Sequence, residues 1–176
     1  TYADHHRRVL ALTGVLEQLG IGEGDRVAAL CANSHVMLEL HGAIPLHGSV
    51  LVPLNIRLSA PEIEYILDHS GAKVLVETAE FADVAAKVAT AFGIRLIVSG
   101  GPDDEYEQLL SLSPGAVQRV PSERGLLAIN YTSGTTGRPK GVMYHHRGAY
   151  LQAVAMAYQS RLDPGSNYLW TLPMFH

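Results

Sequence analysis

The chain has 176 residues, 47% hydrophobic and 17% charged, with a formal net charge of −4 and a single cysteine. That length suits one domain of ordinary size with its own buried core, and the balance excludes a disordered or fibrous protein. The mild negative charge gives no electrostatic basis for binding nucleic acid or an acidic membrane surface, and Cys31 alone forms no internal disulfide.

The first predicted element is a helix in which Leu12, Val15, Leu16 and Leu19 recur at helical spacing, with Gly20 as its C-terminal stop. Val27 to Ala32 is an apolar run between turn residues, the pattern of a strand covered on both faces. Ser34 can cap a second helix carrying Met37, Leu40 and Ile44, which Pro45 is expected to kink or end. Val50-Leu51-Val52 follows as a strand closed by Pro53. Ser59-Ala60-Pro61-Glu62 has the form of a capping box, with Ile63, Ile66 and Leu67 as the apolar stripe behind it and Gly71 as the stop. Val74-Leu75-Val76 and Leu96-Ile97-Val98 are strands separated by a helical stripe of Phe81, Val84, Ala85, Val88 and Phe92. Repeated strand–helix units predict an α/β fold, a three-layer architecture with a parallel sheet between helices.

Between Gly100 and Gly125 the composition turns to Gly, Pro, Ser and acidic residues around one short helix, and a subdomain junction within 100–125 is a natural expectation. A strand resumes at Leu126 to Tyr131. The longest uncharged run, Leu40 to Ile56, carries Pro45, Pro53, His41 and His47, so no membrane span is expected. No basic-then-apolar segment opens the sequence, and a cytoplasmic location is the corresponding expectation.

The densest chemistry follows the 126–131 strand. Thr132-Ser133-Gly134-Thr135-Thr136-Gly137-Arg138-Pro139-Lys140-Gly141 packs hydroxyls, glycines and a cation into ten residues. Glycines let the backbone approach a ligand and expose consecutive N–H groups. The hydroxyls add donors and Lys140 adds a mobile positive charge. Many donors without an anion is what a polyphosphate requires. The spacing is neither Gly-x4-Gly-Lys-Ser/Thr nor Gly-x-Gly-x-x-Gly.

Tyr131 to Val142, Y-T-S-G-T-T-G-R-P-K-G-V, resembles the signature loop of the adenylate-forming, or AMP-binding, enzymes: acyl-CoA synthetases, peptide-synthetase adenylation domains and luciferases. The resemblance runs along almost the whole chain. Thr1-Tyr2-Ala3, Gly24-Asp25-Arg26-Val27-Ala28, Val52-Pro53-Leu54-Asn55 and Ser70-Gly71-Ala72-Lys73-Val74-Leu75 are similar to the family's N-terminal landmarks. Leu172-Pro173-Met174-Phe175-His176 resembles a second motif in the form typical of fatty-acyl and other carboxylic-acid CoA ligases.

The resemblance implies ATP-dependent activation of a carboxylic acid as acyl-AMP, with pyrophosphate released and CoA then displacing AMP. It implies that Thr132, Ser133, Gly134, Thr135, Thr136, Gly137 and Lys140 cradle the β- and γ-phosphates of ATP, which arrives with Mg2+. Lys140 and His176 are the implied catalytic residues, His176 lying beside the carboxylate and adenylate. The family's adenine-contacting Tyr-Gly-x-Thr-Glu segment, its ribose-holding aspartate and its mobile C-terminal domain find no match in 1–176. The expectation is therefore a partial N-terminal AMP-binding domain, inactive alone, whose uncovered apolar surfaces favour self-association. Two alternatives stay open: an acyl-AMP ligase delivering to a carrier protein, and a naturally short, non-catalytic nucleotide-binding or assembly module.

Other candidates are weaker. The nine histidines include the adjacent pairs His5-His6 and His145-His146 but no i, i+4 pair and no H-E-x-x-H, so no resident metal is expected. Cys31 reads as a buried, inert thiol. Arg147 either faces the loop or solvates a helix start. Leu151, Val154, Ala155 and Tyr158 read as core, and Trp170 as packing.

Overall fold

The computed structural model describes residues 1–113, 115–119, 122–132 and 137–176. The described residues form a sheet of six strands in the order β4-β3-β1-β2-β5-β6: β1 (Arg26–Leu30), β2 (Val50–Pro53), β3 (Ala72–Thr78), β4 (Arg95–Ser99), β5 (Leu126–Thr132) and β6 (Lys140–His145). β1 to β5 run parallel, and β6 returns antiparallel to β5. The expected parallel three-layer fold is therefore present with one antiparallel edge strand added.

β1 shows why helices cover both faces. Val27, Ala28, Ala29 and Leu30 are all buried. Alternation sends Val27 and Ala29 into one core, with α1 (Tyr2–Gln18), α2 (His35–His47) and α5 (Glu105–Ser111). Ala28 and Leu30 enter a second core under α3 (Ala60–Ser70) and α4 (Ala82–Phe92). The chain steps from β1 to β2, then doubles back across β1 to β3, and that reversal puts α3 on the face opposite α2. All five parallel strands consequently finish at one edge of the sheet.

Local signals set the boundaries. Ser34 caps α2, its Oγ accepting from the Met37 amide, and Gly48 ends it with φ of +89°. The helix does not stop at Pro45. It runs on to His47, because a proline in the last turn removes one hydrogen bond while the flanking Ile44 and His47 are wholly buried. At α3 the Glu62 carboxylate accepts from the Ser59 amide and hydroxyl at 2.8 and 2.6 Å. Phe81 falls in a 3-10 turn before α4 rather than inside it.

Two polar braces hold the layers. The buried Glu39 of α2 accepts from Arg8 Nε at 2.6 Å and from the Tyr106 hydroxyl at 2.7 Å, and Arg8 also grips Glu107 at 2.6 and 2.8 Å. Stripping a buried carboxylate of its cation costs about 3–5 kcal/mol, so α1, α2 and α5 are tied at one point. At the amino edge Arg26 donates to the carbonyls of Ser70 and Gly71 at 2.7 and 3.1 Å, and Lys73 pairs with Asp25 at 2.7 Å. A Cβ on Gly71 would lie 2.7 Å from Arg26 Nη2. The Gly24-Asp25-Arg26 and Ser70-Gly71-Ala72-Lys73 stretches are thus one structural brace, remote from the carboxyl edge.

The connection after α5 lies against α1. Ser113 Oγ donates to the Ala11 carbonyl at 2.6 Å, and the Val117 amide donates to Thr13 Oγ1 at 3.0 Å. A Cβ on Gly14 would meet the Gly115 carbonyl oxygen at 2.1 Å, so only glycine allows this approach.

The last helix, α6 (His146–Gln159), departs from expectation. Leu151, Val154 and Tyr158 are 54%, 50% and 86% exposed, Ala155 is exposed too, and Trp170 is half exposed. An apolar stripe needs a facing surface, and the strand beside α6, β6, itself exposes Val142, Met143 and Tyr144. Among the described residues no helix is long and apolar enough to cross a membrane.

Glu77, near the end of β3, is fully buried, with neither carboxylate oxygen partnered among the described residues. Burial pushes its carboxyl up to about 7, above the 4.5 of an unburied glutamate. The folded state therefore holds a proton that the unfolded chain releases, and stability is lost as pH rises between those two values. Urea unfolding at pH 5 and pH 8 should show wild type losing on the order of 3 kcal/mol more than Glu77→Gln; parallel losses would show that Glu77 does not titrate this way.

Candidate functional site

Thr132 ends β5 and Lys140 begins β6, and the two are the final paired residues of the β5–β6 ladder. The two described ends of the motif thus lie side by side in an antiparallel pair at the carboxyl edge, where open α/β sheets bind ligands. Thr132, Gly137 and Lys140 are exposed there. Gly137 has φ of +119°, a conformation that favours glycine. The expected phosphate-binding residues Ser133, Gly134, Thr135 and Thr136 lie outside the described residues.

Gly141 has a physical reason to be glycine. It pairs with Tyr131, and a Cβ there would lie 2.8 Å from Ile129 Cγ2 and 3.2 Å from Tyr131 Cζ. The Tyr131 ring thus leans across the hairpin. It meets α3, where its hydroxyl and His69 Nδ1 share a 2.7 Å hydrogen bond. Burial and the neighbouring Tyr65 raise the Tyr131 phenol above its ordinary value, keeping it neutral. An open cleft of about 430 Å³ runs here between Tyr65, His69, Arg138, Pro139, Lys140 and Gly141.

The second expected segment reaches the same edge from the far end of the chain. Asn33, just beyond β1, donates to the Leu172 carbonyl at 2.7 Å and accepts from the Met174 amide at 2.8 Å. His41 Nε2 donates to the Met174 carbonyl at 2.8 Å. Phe175 is buried in the α1–α2 core, and the exposed His176 ring lies 6.0 Å from it, centre to centre. Only β2 separates β1 from β5, a spacing of about 10 Å. The structure therefore brings Lys140 and His176, 36 positions apart in sequence, to one edge.

Sequence reasoning missed Asn33, His41, Tyr65 and His69. The one available signal was the i, i+4 spacing of Tyr65 and His69 on α3. Arg147 is resolved as remote: β6 runs from Lys140 to the opposite edge, where Arg147 pairs with Glu123 at 3.0 Å. Cys31 is buried, its thiol pushed up to about 12 by burial and by the charge of Glu77, which leaves it no nucleophile. His145 caps α6, its Nδ1 accepting from the Gly148 amide at 2.8 Å. No group of three or more metal-ligating side chains is assembled among the described residues.

Comparison with known proteins identifies the family and the fold. The model of the family described as AMP-binding enzyme matches residues 1–176. The chain is 34% identical over its whole length to a 4-hydroxybutyrate–CoA ligase of Metallosphaera sedula, covering 35% of that protein. It is 38% identical, again over its whole length, to a long-chain-fatty-acid–CoA ligase of Thermus thermophilus, of which it covers 34%. Among solved structures, apo MatB from Rhodopseudomonas palustris superposes with a TM-score of 0.89 at 29% identity, matching 100% of this chain and 35% of that one. The N-terminal domain of FACL13 from Mycobacterium tuberculosis gives 0.78 at 34% identity, matching 100% of this chain and 45% of that one. The chain spans about a third of the length of these curated relatives. With the hairpin motif at the carboxyl edge and a family match along all 176 residues, the chain belongs to the AMP-binding enzymes.

Proposed function

We propose that this chain is the N-terminal part of an AMP-forming acyl-CoA synthetase, which activates a carboxylic acid, of the fatty-acid class, as acyl-AMP and passes the acyl group to CoA. The observation that carries the reading is the meeting of the Thr132–Lys140 hairpin and the Leu172–His176 segment at one edge of the sheet. CoA ligases of both short and long acids among the relatives support it. So does the superposition of ATP-bound MatB, with a TM-score of 0.86 at 29% identity.

In the first step a carboxylate oxygen attacks the α-phosphorus of ATP, the bond to the bridging oxygen breaks, and pyrophosphate leaves. This chain's contribution is electrostatic. Thr132, Ser133, Gly134, Thr135, Thr136 and Gly137 supply hydroxyl and amide donors to the β- and γ-phosphates, and Lys140 balances charge growing on the departing pyrophosphate. Mg2+ is read as travelling with the nucleotide, adding positive charge on the phosphates. His176 borders the carboxylate, held by the neighbouring Phe175, whose ring sits in the core. CoA thiol then displaces AMP in a second step.

We read residues 1–176 as a partial AMP-binding domain with a junction within 100–125, unable to turn over alone. The exposed apolar face of β6 and α6 is the surface on which the remainder of such an enzyme, or a second copy of the chain, would pack. The expected location is cytoplasmic.

The test is acid-dependent exchange of labelled pyrophosphate into ATP by the complete gene product, across a panel of short, medium and long acids. Lys140→Ala should lower exchange about 100-fold. Undiminished exchange removes Lys140 from the reaction, and no exchange with any acid by wild type overturns the reading. Thioester formation with free CoA, rather than with a loaded carrier protein, separates a synthetase from an acyl-AMP ligase.

A further inference from the structure

Tyr65 and His69 stand one turn apart on α3, their rings stacked at 5.4 Å and 28°. Each holds a different stem of the glycine-rich loop. His69 meets the incoming stem, sharing the 2.7 Å hydrogen bond with the Tyr131 hydroxyl, its ring edge-on to the tyrosine at 5.8 Å and 87°. Tyr65 meets the outgoing stem: the Arg138 guanidinium lies over its ring, 5.5 Å from the centroid, as in a cation–π pair. Tyr131 immediately precedes Thr132, and Arg138 immediately follows Gly137, so the two contacts bracket the phosphate-binding segment.

We propose that the Tyr65–His69 pair is a positioning clamp that fixes both stems of the loop and so sets the enzyme's affinity for the triphosphate. The proposal rests on the reading of this hairpin as the ATP site. Holding Tyr131 and Arg138 in place before the nucleotide arrives lowers the ordering cost of binding at the residues that flank the motif. α3 is itself rigidly seated, with Ile63, Ile66 and Leu67 buried against the sheet and Gly71 braced on Arg26. Neither aromatic residue needs to touch the nucleotide, and Gly141 contributes by leaving room for the Tyr131 ring. This assigns a role to residues of α3 that belong to neither sequence motif.

The experiment uses the complete gene product and steady-state kinetics with MgATP and acid varied separately. Tyr131→Phe, His69→Ala and Tyr65→Leu should each raise KM for ATP about fivefold, the effect of one lost polar contact, and leave KM for the acid unchanged. His69→Asn, which keeps a polar atom near Nδ1, should recover most of the His69→Ala defect. Tyr65→Phe, which keeps the ring under Arg138, should match wild type. Thermal melts identify any variant that has lost its fold, and the conservative Tyr131→Phe and His69→Asn then decide. Unchanged KM for ATP in folded variants of an active wild type overturns the clamp alone. A wild type that neither binds nor consumes ATP overturns the clamp together with the functional reading.

Discussion

The structure depends on β1, the central strand, whose backbone is paired on both sides by β2 and β3 and whose side chains are buried on both faces. A strand in that position leaves no polar group free and no face wet, so helices must close over it from two sides. Parallel pairing also brings the carboxyl ends of its neighbours to one edge. Everything proposed for this chain happens at that edge, and the amino edge carries the brace of Arg26, Asp25 and Lys73 instead.

β6 sets the geometry of the candidate site. Had the chain after β5 entered a helix directly, the glycine-rich segment would be a strand-to-helix turn of the kind that binds phosphate in P-loop and dinucleotide-binding folds. Here β6 returns antiparallel to β5, and the residues that flank the segment on both sides are anchored. One stem is held by Tyr131 on His69, the other by Arg138 on Tyr65. The docking of Leu172–His176 through Asn33 and His41 belongs to the same logic. Backbone carbonyl and amide groups are met by side chains beyond β1 and on α2, so a distant segment is fixed without joining the sheet.

Much of this was legible in the sequence because local rules agreed. Buried strands read as unbroken apolar runs at Val27–Leu30 and Val74–Val76, and the Ser59–Glu62 cap and the Gly71 stop delimited α3. The 132–141 motif, proposed as the phosphate cradle, stood out because its run of hydroxyls, glycines and a lysine follows neither a helical nor a strand period. What escaped was non-local. No strand was expected at β6, since Lys140 and Gly141 carry no strand signal and the pairing with β5 is tertiary. Pro45 was overread, because its cost in a final turn is small beside the burial of Ile44 and His47. The stripe of Leu151, Val154 and Tyr158 has the right period for a core helix, yet period does not reveal whether the covering surface is within these residues. The partnerships of His69 with Tyr131 and of Asn33 with Leu172 were invisible because they span 62 and 139 positions.

On the proposed reading, the hairpin at the carboxyl edge holds the triphosphate while His176 borders the carboxylate. The most direct test is a crystal structure of the complete gene product soaked with MgATP and a non-reactive acid analogue. The expected result is β- and γ-phosphates within hydrogen-bond distance of the 132–140 hairpin, and His176 against the acid or the α-phosphate. Density for the triphosphate away from that hairpin, or His176 facing solvent with both substrates bound, would contradict it.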